Sequence, residues 1–140
     1  VRDSLELLQV HRVDHGNACV DDAALVGELA RRRIPLTMCP LSNLKLEVVG
    51  SVADHPLKRL LDAGVCVTVN SDDPSYFGGY VNDNYLACQQ ALALSHAELA
   101  QLARNSFEAS FIPQAQRQAA FAQVDDWLAR AESMNSQMLA

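Results

Sequence analysis

A run of small and β-branched apolar residues that leads directly into two carboxylates most constrains how this chain can fold. Residues 65–74 read Val-Cys-Val-Thr-Val-Asn-Ser-Asp-Asp-Pro. The apolar part predicts a short, fully buried strand after Gly64. Because Pro74 cannot donate to a ladder, regular pairing is expected to stop before it. Asp72 and Asp73 are therefore expected at the carboxyl end of a buried parallel strand, where α/β enzymes carry their functional groups.

Two further strands are predicted upstream at nearly even spacing. Residues 8–13 form the first candidate and lead into Asp14-His15-Gly16. Residues 34–38 form the second and lead into a loop that contains Ser42 and Asn43. Each predicted strand therefore ends in polar side chains.

Helices are predicted between the strands and throughout the rest of the chain. Asp21 or Asp22 is expected to cap a helix that runs to Arg33, and Pro56 is expected to open a helix that stops at Gly64. Further helices are predicted over residues 84–94, from a capping box at residues 95–98, and from Pro113 onward, with residues 134–140 frayed.

This alternation of strands and helices predicts parallel strands joined by right-handed crossovers. A doubly wound sheet and part of a barrel both fit the pattern, but no glycine-rich phosphate loop follows any strand. A complete barrel needs about 250 residues, whereas the chain has 140 and begins at Val1. The predicted fold is the C-terminal half of a (β/α)₈ TIM barrel plus C-terminal helices. Residues 1–140 are expected to form a single partial domain, truncated at the N-terminus.

Charge and cysteine content exclude several classes of partner. The formal net charge is −6, and the one basic cluster, residues 31–33, falls at a predicted helix end, so nucleic acid is not expected to bind. No apolar run reaches the roughly 20 residues that cross a bilayer, so no membrane partner is expected. The four cysteines form no Cys-x-x-Cys pair, which favours a reduced, cytoplasmic protein.

The polar residues that end the three strands are the candidate site. Each of these features is common in turns and helix caps when it occurs alone. This holds for the histidine before a glycine, for the Ser-Asn pair and for the aspartates. Together at one end of a parallel sheet, the polar residues indicate a functional site: His15, Ser42, Asn43, Asp72 and Asp73. Histidine and carboxylate donors suit a zinc or iron hydrolase. We interpret His55, near a helix start, as structural.

Several sequence blocks resemble the adenosine/adenine deaminase family of metal-dependent hydrolases. They are Arg-Val-Asp-His-Gly at 12–16, Met-Cys-Pro-Leu-Ser-Asn at 38–43, His-Pro at 55–56 and Val-Asn-Ser-Asp-Asp-Pro at 69–74. Their order and spacing are similar to the last three strands of that family's barrel. Within the family, residues 71–80 and Asp14 resemble the adenine deaminase group.

The resemblance implies zinc-dependent hydrolytic deamination of adenine to hypoxanthine and ammonia, a purine salvage reaction, by a longer enzyme of which this chain is part. It implies that Asp72 is a zinc ligand, that His15 orients and polarises the attacking hydroxide, and that Asp73 holds the purine through N7. If N7 is an acceptor, Asp73 must carry a proton. Two alternatives remain open: deamination of adenosine, or a non-catalytic half-barrel that acts as a binding or assembly module.

The chain also departs from the family pattern. It has no His-x-His pair and no His-Ala-x-Glu sequence, so it supplies one expected zinc ligand where about four are needed. The isolated chain is therefore expected to be inactive. Because a half-barrel leaves its outer strands unpaired, it is also expected to self-associate.

Overall fold

A three-stranded parallel sheet flanked by helices forms the centre of the protein. The computed structural model describes residues 1–138. The strands are β1 (Val13–Asp14), β2 (Leu36–Met38) and β3 (Val67–Val69), in the spatial order β1-β2-β3. The helices are α1 (Arg2–Glu6), α2 (Ala23–Arg32), α3 (Pro40–Lys45), α4 (Leu57–Asp62), α5 (Pro74–Phe77), α6 (Val81–Leu92), α7 (His96–Ala109) and α8 (Gln114–Met138), with short 3₁₀ turns at Asn17–Asp21 and Val52–Asp54.

The register of the strands brings their carboxyl ends together. Val13 pairs with Leu36, Leu36 with Val67, and Met38 with Val69. All three strands run parallel, with α2 and α4 as the crossovers. The edge of the sheet where β1, β2 and β3 end is called the carboxyl edge below.

Local sequence explains where the crossover helices begin and end. The side chain of Asp22 accepts a hydrogen bond from the backbone N–H of Leu25 at 3.0 Å and caps α2, as predicted. Helix α4 ends at a left-handed Gly64, with φ +81°. The backbone N–H of Val65 donates to the carbonyl of Leu60 at 3.0 Å, which completes a Schellman-type ending. This ending turns the chain directly into β3.

Helix α7 covers β3 on the side away from β2. Its N-terminus carries the predicted capping box, because the Ser95 N–H donates to Glu98 at 2.8 Å and the Glu98 N–H donates to Ser95 Oγ at 3.3 Å. The buried amide of Asn105 donates to the Val67 carbonyl at 2.8 Å. The hydrogen bond satisfies the Val67 carbonyl on the outer side of β3. No fourth strand pairs with β3 there among residues 1–138.

The core lies between the sheet and the helices. It is built from side chains less than 3% exposed, which include Leu5, Leu29, Leu36, Met38, Leu57, Leu60, Val67, Val69 and Leu102. Within residues 1–138, no helix combines the length and apolar character that a membrane crossing requires.

The first predicted strand is wrong over most of its length. Residues 8–13 were expected to be extended, but only Val13 of that segment is in β1. Gln9 has a positive φ of 51°, which breaks an extended strand, and Leu8 is 72% exposed. Because β1 pairs only with β2, nothing orders a longer strand on its other side.

Two helix predictions also need correction. Helix α6 begins at Val81 and not at residue 84, because the Tyr80 N–H donates to the Asp83 carboxylate at 2.7 Å and ends the preceding loop there. Residues 134–138, predicted to be frayed, continue α8, and residues 139–140 lie outside the described residues.

Candidate functional site

Side chains from all three strand ends meet in a cavity at the carboxyl edge. His15 follows β1, Cys39 follows β2, and Asp72 follows β3. The cavity has a volume of about 510 Å³ and is lined by Arg12, Asp14, His15, Thr37, Cys39, Asn70, Ser71, Asp72 and Val81. Of the three residues to which the sequence assigns roles, His15, Asp72 and Asp73, the first two line this cavity.

Both of these residues have a strained backbone. His15 and Asp72 each have φ +58°, the left-handed region that side chains other than glycine rarely adopt. Such conformations cost on the order of 1–3 kcal/mol and cluster at functional sites. His15 comes directly after β1 and Asp72 comes three residues after the end of β3, and both side chains line the cavity.

The Asp72 carboxylate is held from two sides. Ser42 Oγ, fully buried, donates to Asp72 Oδ2 at 2.6 Å. His15 Nε2 lies 3.8 Å from the same oxygen. The Asp72 side chain is 30% exposed, so the carboxylate is positioned by the protein while it remains open to the cavity.

Behind His15, a buried polar chain leads away from the cavity. Asn43 Nδ2 lies 3.4 Å from His15 Nδ1, and Asn43 Oδ1 lies 3.0 Å from His55 Nε2. Asn17 Nδ2 donates to the same Asn43 oxygen at 2.8 Å. Burial lowers the pKa of His55 from 6.5 to about 4, so this imidazole is neutral at pH 7.

Cys39 is the third potential metal ligand in the cavity. One ligand atom each from His15, Cys39 and Asp72 lies within 4.8 Å of the other two. Nitrogen, sulfur and carboxylate oxygen are the donors that zinc prefers. Burial, followed by the charges of Asp72 and Asp14, raises the pKa of the Cys39 thiol to about 11, so metal binding there would have to displace a proton. The donor types in this cluster therefore fit zinc.

Asp73 lies apart from this group. Its side chain is exposed and is not among those that line the cavity. Its carbonyl instead accepts the backbone N–H groups of Tyr76 and Phe77 at 3.1 and 2.9 Å, at the start of α5. The role expected for Asp73 therefore stays a prediction.

A second cavity, of about 550 Å³, lies between α6, α7 and α8. Its lining includes Tyr85, Leu99, Phe107 and Trp127, and it contains no aspartate, glutamate, histidine, lysine, arginine or cysteine side chain. Of these two cavities, the one at the carboxyl edge is therefore the one lined by aspartate, histidine and cysteine side chains.

The sequence did not indicate the roles of Asn43 and His55. Ser42 and Asn43 were recognised as polar residues after the second strand, but without a partner for either. The prediction that His55 is a structural residue at a helix start is confirmed, because His55 Nδ1 accepts from the Leu57 N–H at the start of α4, but the sequence gives no sign of its hydrogen bond to Asn43. The one available signal was a histidine placed directly before the proline that opens α4.

Comparison with known proteins connects this geometry to a family. The family model "Adenosine deaminase" matches residues 1–127. The chain is 58% identical over 130 residues to an adenine deaminase of Rhodopseudomonas palustris (strain BisB18), an alignment that covers 93% of this chain and 38% of that protein. The chain thus spans little more than a third of this relative's length.

Two solved structures share the fold. The crystal structure of an adenine deaminase from Arthrobacter aurescens is similar with a TM-score of 0.89 and 44% identity, over 91% of this chain and 39% of that one. An amidohydrolase from Burkhoderia ambifaria, solved with bound Zn, is similar with a TM-score of 0.78 and 24% identity, over 92% of this chain and 38% of that one. The sheet and helices described above are therefore part of a (β/α)₈ barrel, as the sequence predicted.

Proposed function

This chain belongs to the adenosine deaminase family, and we propose on that premise that it is one part of the barrel domain of an adenine deaminase. The reaction would convert adenine and water to hypoxanthine and ammonia. The observation that carries the proposal is the convergence of His15 and Asp72 at the carboxyl edge, 3.8 Å apart, in a chain 58% identical to a protein named adenine deaminase.

We propose that Asp72 is a ligand of a zinc ion. Its carboxylate is fixed by Ser42 and faces the cavity, and a related amidohydrolase was solved with bound Zn. A zinc ion in such a site makes water nucleophilic at neutral pH, because it lowers the pKa of the bound water to about 7. The remaining ligands would come from parts of the barrel outside this chain.

His15 and Asp73 are proposed to act on the nucleophile and on the purine, respectively. His15 Nε2 faces Asp72, where it can orient an attacking oxygen by hydrogen bonding. The oxygen of a water molecule would add to C6 of adenine, and the exocyclic amino group would leave as ammonia. One hydrogen of the water would go to the ammonia and the other to the ring of hypoxanthine. Asp73, adjacent in sequence to the proposed ligand, would hold N7 through a hydrogen bond donated by its carboxyl group.

A chimera tests the proposal directly. The matching 130 residues of the Rhodopseudomonas palustris protein would be replaced by this chain, and ammonia release from adenine would be measured. We expect deamination of adenine by the chimera and no deamination by the same chimera with Asp72→Ala. A folded, zinc-loaded chimera that leaves adenine unchanged would refute the proposed function.

The role of Asp73 has its own test in the chimera. If Asp73 donates to N7, Asp73→Asn keeps a donor and should retain far more activity than Asp73→Ala. The measured quantity is kcat/KM for adenine, because a contact with the purine affects binding and transition state together. Equal losses in the two variants would remove the donor role.

Substrate choice between adenine and adenosine is tested by competition. The chimera would receive both substrates at equal concentration, with hypoxanthine and inosine separated by chromatography. The relatives named adenine deaminase support hypoxanthine as the main product. A preference for inosine would favour the nucleoside.

We also propose that the isolated chain self-associates. Strand β1 has a neighbouring strand on one side only among residues 1–138, whereas α7 covers the outer side of β3. Outer strands with unpaired backbone groups pair with other chains. Sedimentation of the isolated chain is expected to give a dimer or larger species. A monodisperse monomer would refute this proposal.

A further inference from the structure

We propose that His55 and Asn43 are positioning residues that fix the tautomer of His15, so that His15 presents an Nε2–H group to Asp72. Only the catalytic consequence of this inference rests on the proposed function. The tautomer itself follows from hydrogen bonds within the described residues.

The argument starts from a backbone N–H group, which can only donate. The Leu57 N–H lies 3.2 Å from His55 Nδ1, so Nδ1 is an acceptor and carries no proton. His55 is 2% exposed, and a buried imidazole without a carboxylate partner is stable only in its neutral form. A neutral imidazole has one proton, which on His55 must be on Nε2.

That proton sets the orientation of the Asn43 amide. His55 Nε2–H can donate only to the amide oxygen, and Asn43 Oδ1 lies 3.0 Å away. Asn17 Nδ2 donates to the same oxygen at 2.8 Å. His55 Nε2–H and Asn17 Nδ2–H thus hold Asn43 Oδ1 on the side of His55. If the Asn43 amide were flipped, its own N–H groups would face these two donors.

The Asn43 amide then determines the state of His15. With its oxygen occupied, Asn43 turns its Nδ2 toward His15 Nδ1 at 3.4 Å. An amide nitrogen can only donate, so His15 Nδ1 must accept. The single proton of neutral His15 is consequently on Nε2, which lies 3.8 Å from Asp72 Oδ2.

This assignment limits what His15 can do. In its neutral form it meets the cavity as a hydrogen-bond donor, since its only unprotonated nitrogen points away from Asp72 toward Asn43. His15 therefore orients an oxygen by donation and does not accept a proton from it at Nε2. The polar chain that produces this state starts at the backbone of α4, outside the cavity lining.

The tautomer can be read by nitrogen NMR on the metal-free chain with ¹⁵N-labelled imidazoles. Long-range ¹H–¹⁵N spectra distinguish the two neutral tautomers, and His15→Gln identifies the His15 signals by their loss. In the neutral form of the His15 imidazole we expect a protonated Nε2 and an unprotonated Nδ1. A protonated Nδ1, or signals at the average of both tautomers, overturns the inference.

An isosteric substitution provides the sharper test. Asn43→Asp keeps an oxygen for His55 and places a second oxygen against His15 Nδ1, so a proton should move to Nδ1. The matched control is Asn105→Asp, because Asn105 is also buried but bonds Val67 on β3 and Gln101 on its own helix. We expect the control to leave the His15 signals unchanged. An unchanged His15 spectrum in Asn43→Asp overturns the inference.

Variants of His55 separate positioning from packing. A glutamine at position 55 can accept from Leu57 and donate to Asn43, whereas leucine can do neither. His55→Gln should keep the His15 tautomer, and His55→Leu should give a mixture. Retention of the single tautomer in His55→Leu, by a chain that still gives dispersed spectra, overturns the role of His55.

The catalytic consequence is measured in the chimera. For Asn43→Asp we expect kcat on adenine to fall by about 100-fold or more, the lower end of what a positioned proton-transfer or hydrogen-bonding group contributes, with KM within about threefold. An unchanged kcat overturns the catalytic part of the inference. If the NMR results hold and the parent chimera does not deaminate adenine, the proposed function fails while the tautomer assignment stands.

Discussion

The stability of this chain should depend on pH through His55, because folding buries an imidazole without a counter-charge. The side chain is 2% exposed, and burial lowers its pKa from 6.5 to about 4. Between these values the unfolded chain binds a proton that the folded chain does not. Stability therefore rises with pH across this window and is lost as pH falls from 6.5 toward 4.

The size of the effect follows from the width of that window. Each pH unit across it changes the free energy of unfolding by about 1.4 kcal/mol, so the interval from 6.5 to about 4 corresponds to roughly 3 kcal/mol. Between pH 7 and pH 5 the expected loss is about 2 kcal/mol. This is a large fraction of the stability of a domain of this size.

Denaturant unfolding at pH 7 and pH 5 measures this loss, with His55→Gln as the comparison. Glutamine reproduces both hydrogen bonds of the neutral imidazole and does not titrate, so the difference between the two proteins isolates His55. The control is His11→Gln, since His11 is exposed. We expect the wild type and the control to lose about 2 kcal/mol more than His55→Gln between these pH values.

Other titrating groups cancel in this comparison. Glu98 has its pKa lowered to about 2, mainly by the hydrogen bond from Lys58, and it is present in every protein compared. If wild type and His55→Gln lost the same free energy between pH 7 and pH 5, the imidazole would be protonated without penalty in the fold. That result would refute both the buried neutral state and the tautomer argument built on it.

Three further substitutions test single contacts. Ser95→Ala removes the cap of α7 and should cost about 1 kcal/mol in denaturant unfolding; no loss would show that the cap is redundant. Gly79→Ala places a Cβ 2.6 Å from Leu41 Cδ1 at a φ of +94° and should lower the free energy of unfolding by about 1–3 kcal/mol. Equal denaturation midpoints for wild type and variant would contradict this expectation. Ser42→Ala removes the 2.6 Å hydrogen bond to Asp72 and should lower kcat of the chimera about tenfold; an unchanged kcat would show that Asp72 needs no such support.

The sequence predicted the buried strands well and the exposed one poorly. β2 and β3 lie in apolar runs and have a neighbour or a helix on both sides, so burial and local pattern agree. Residues 8–13 also contain apolar residues, at positions 8, 10 and 13, but within residues 1–138 β1 pairs on one side only. The stability of a strand depends on the neighbouring strands that it packs against. The local sequence pattern does not show whether such a neighbour is present.

Topology explains which site contacts could be predicted. His15 and Asp72 lie within three residues of the ends of parallel strands, so alternating strands and helices are enough to place them at one edge. The contact between Asn43 and His55 could not be predicted this way, because the chain between them passes through a turn with a left-handed Glu47 and a 3₁₀ segment. Asn43 is in α3 and His55 follows the irregular segment, so no helical or strand periodicity relates the two side chains.

The polar network also depends on the register of the sheet. Asp14 and Thr37 are register partners across β1 and β2, and Thr37 Oγ1 donates to Asp14 Oδ1 at 2.7 Å. A slip of one residue in any strand would turn its side chains to the opposite face and separate His15, Asn43 and Asp72. The same pairing that buries the core thus sets the distances among the proposed catalytic groups. A substitution that weakens strand pairing should therefore impair the site before it unfolds the chain.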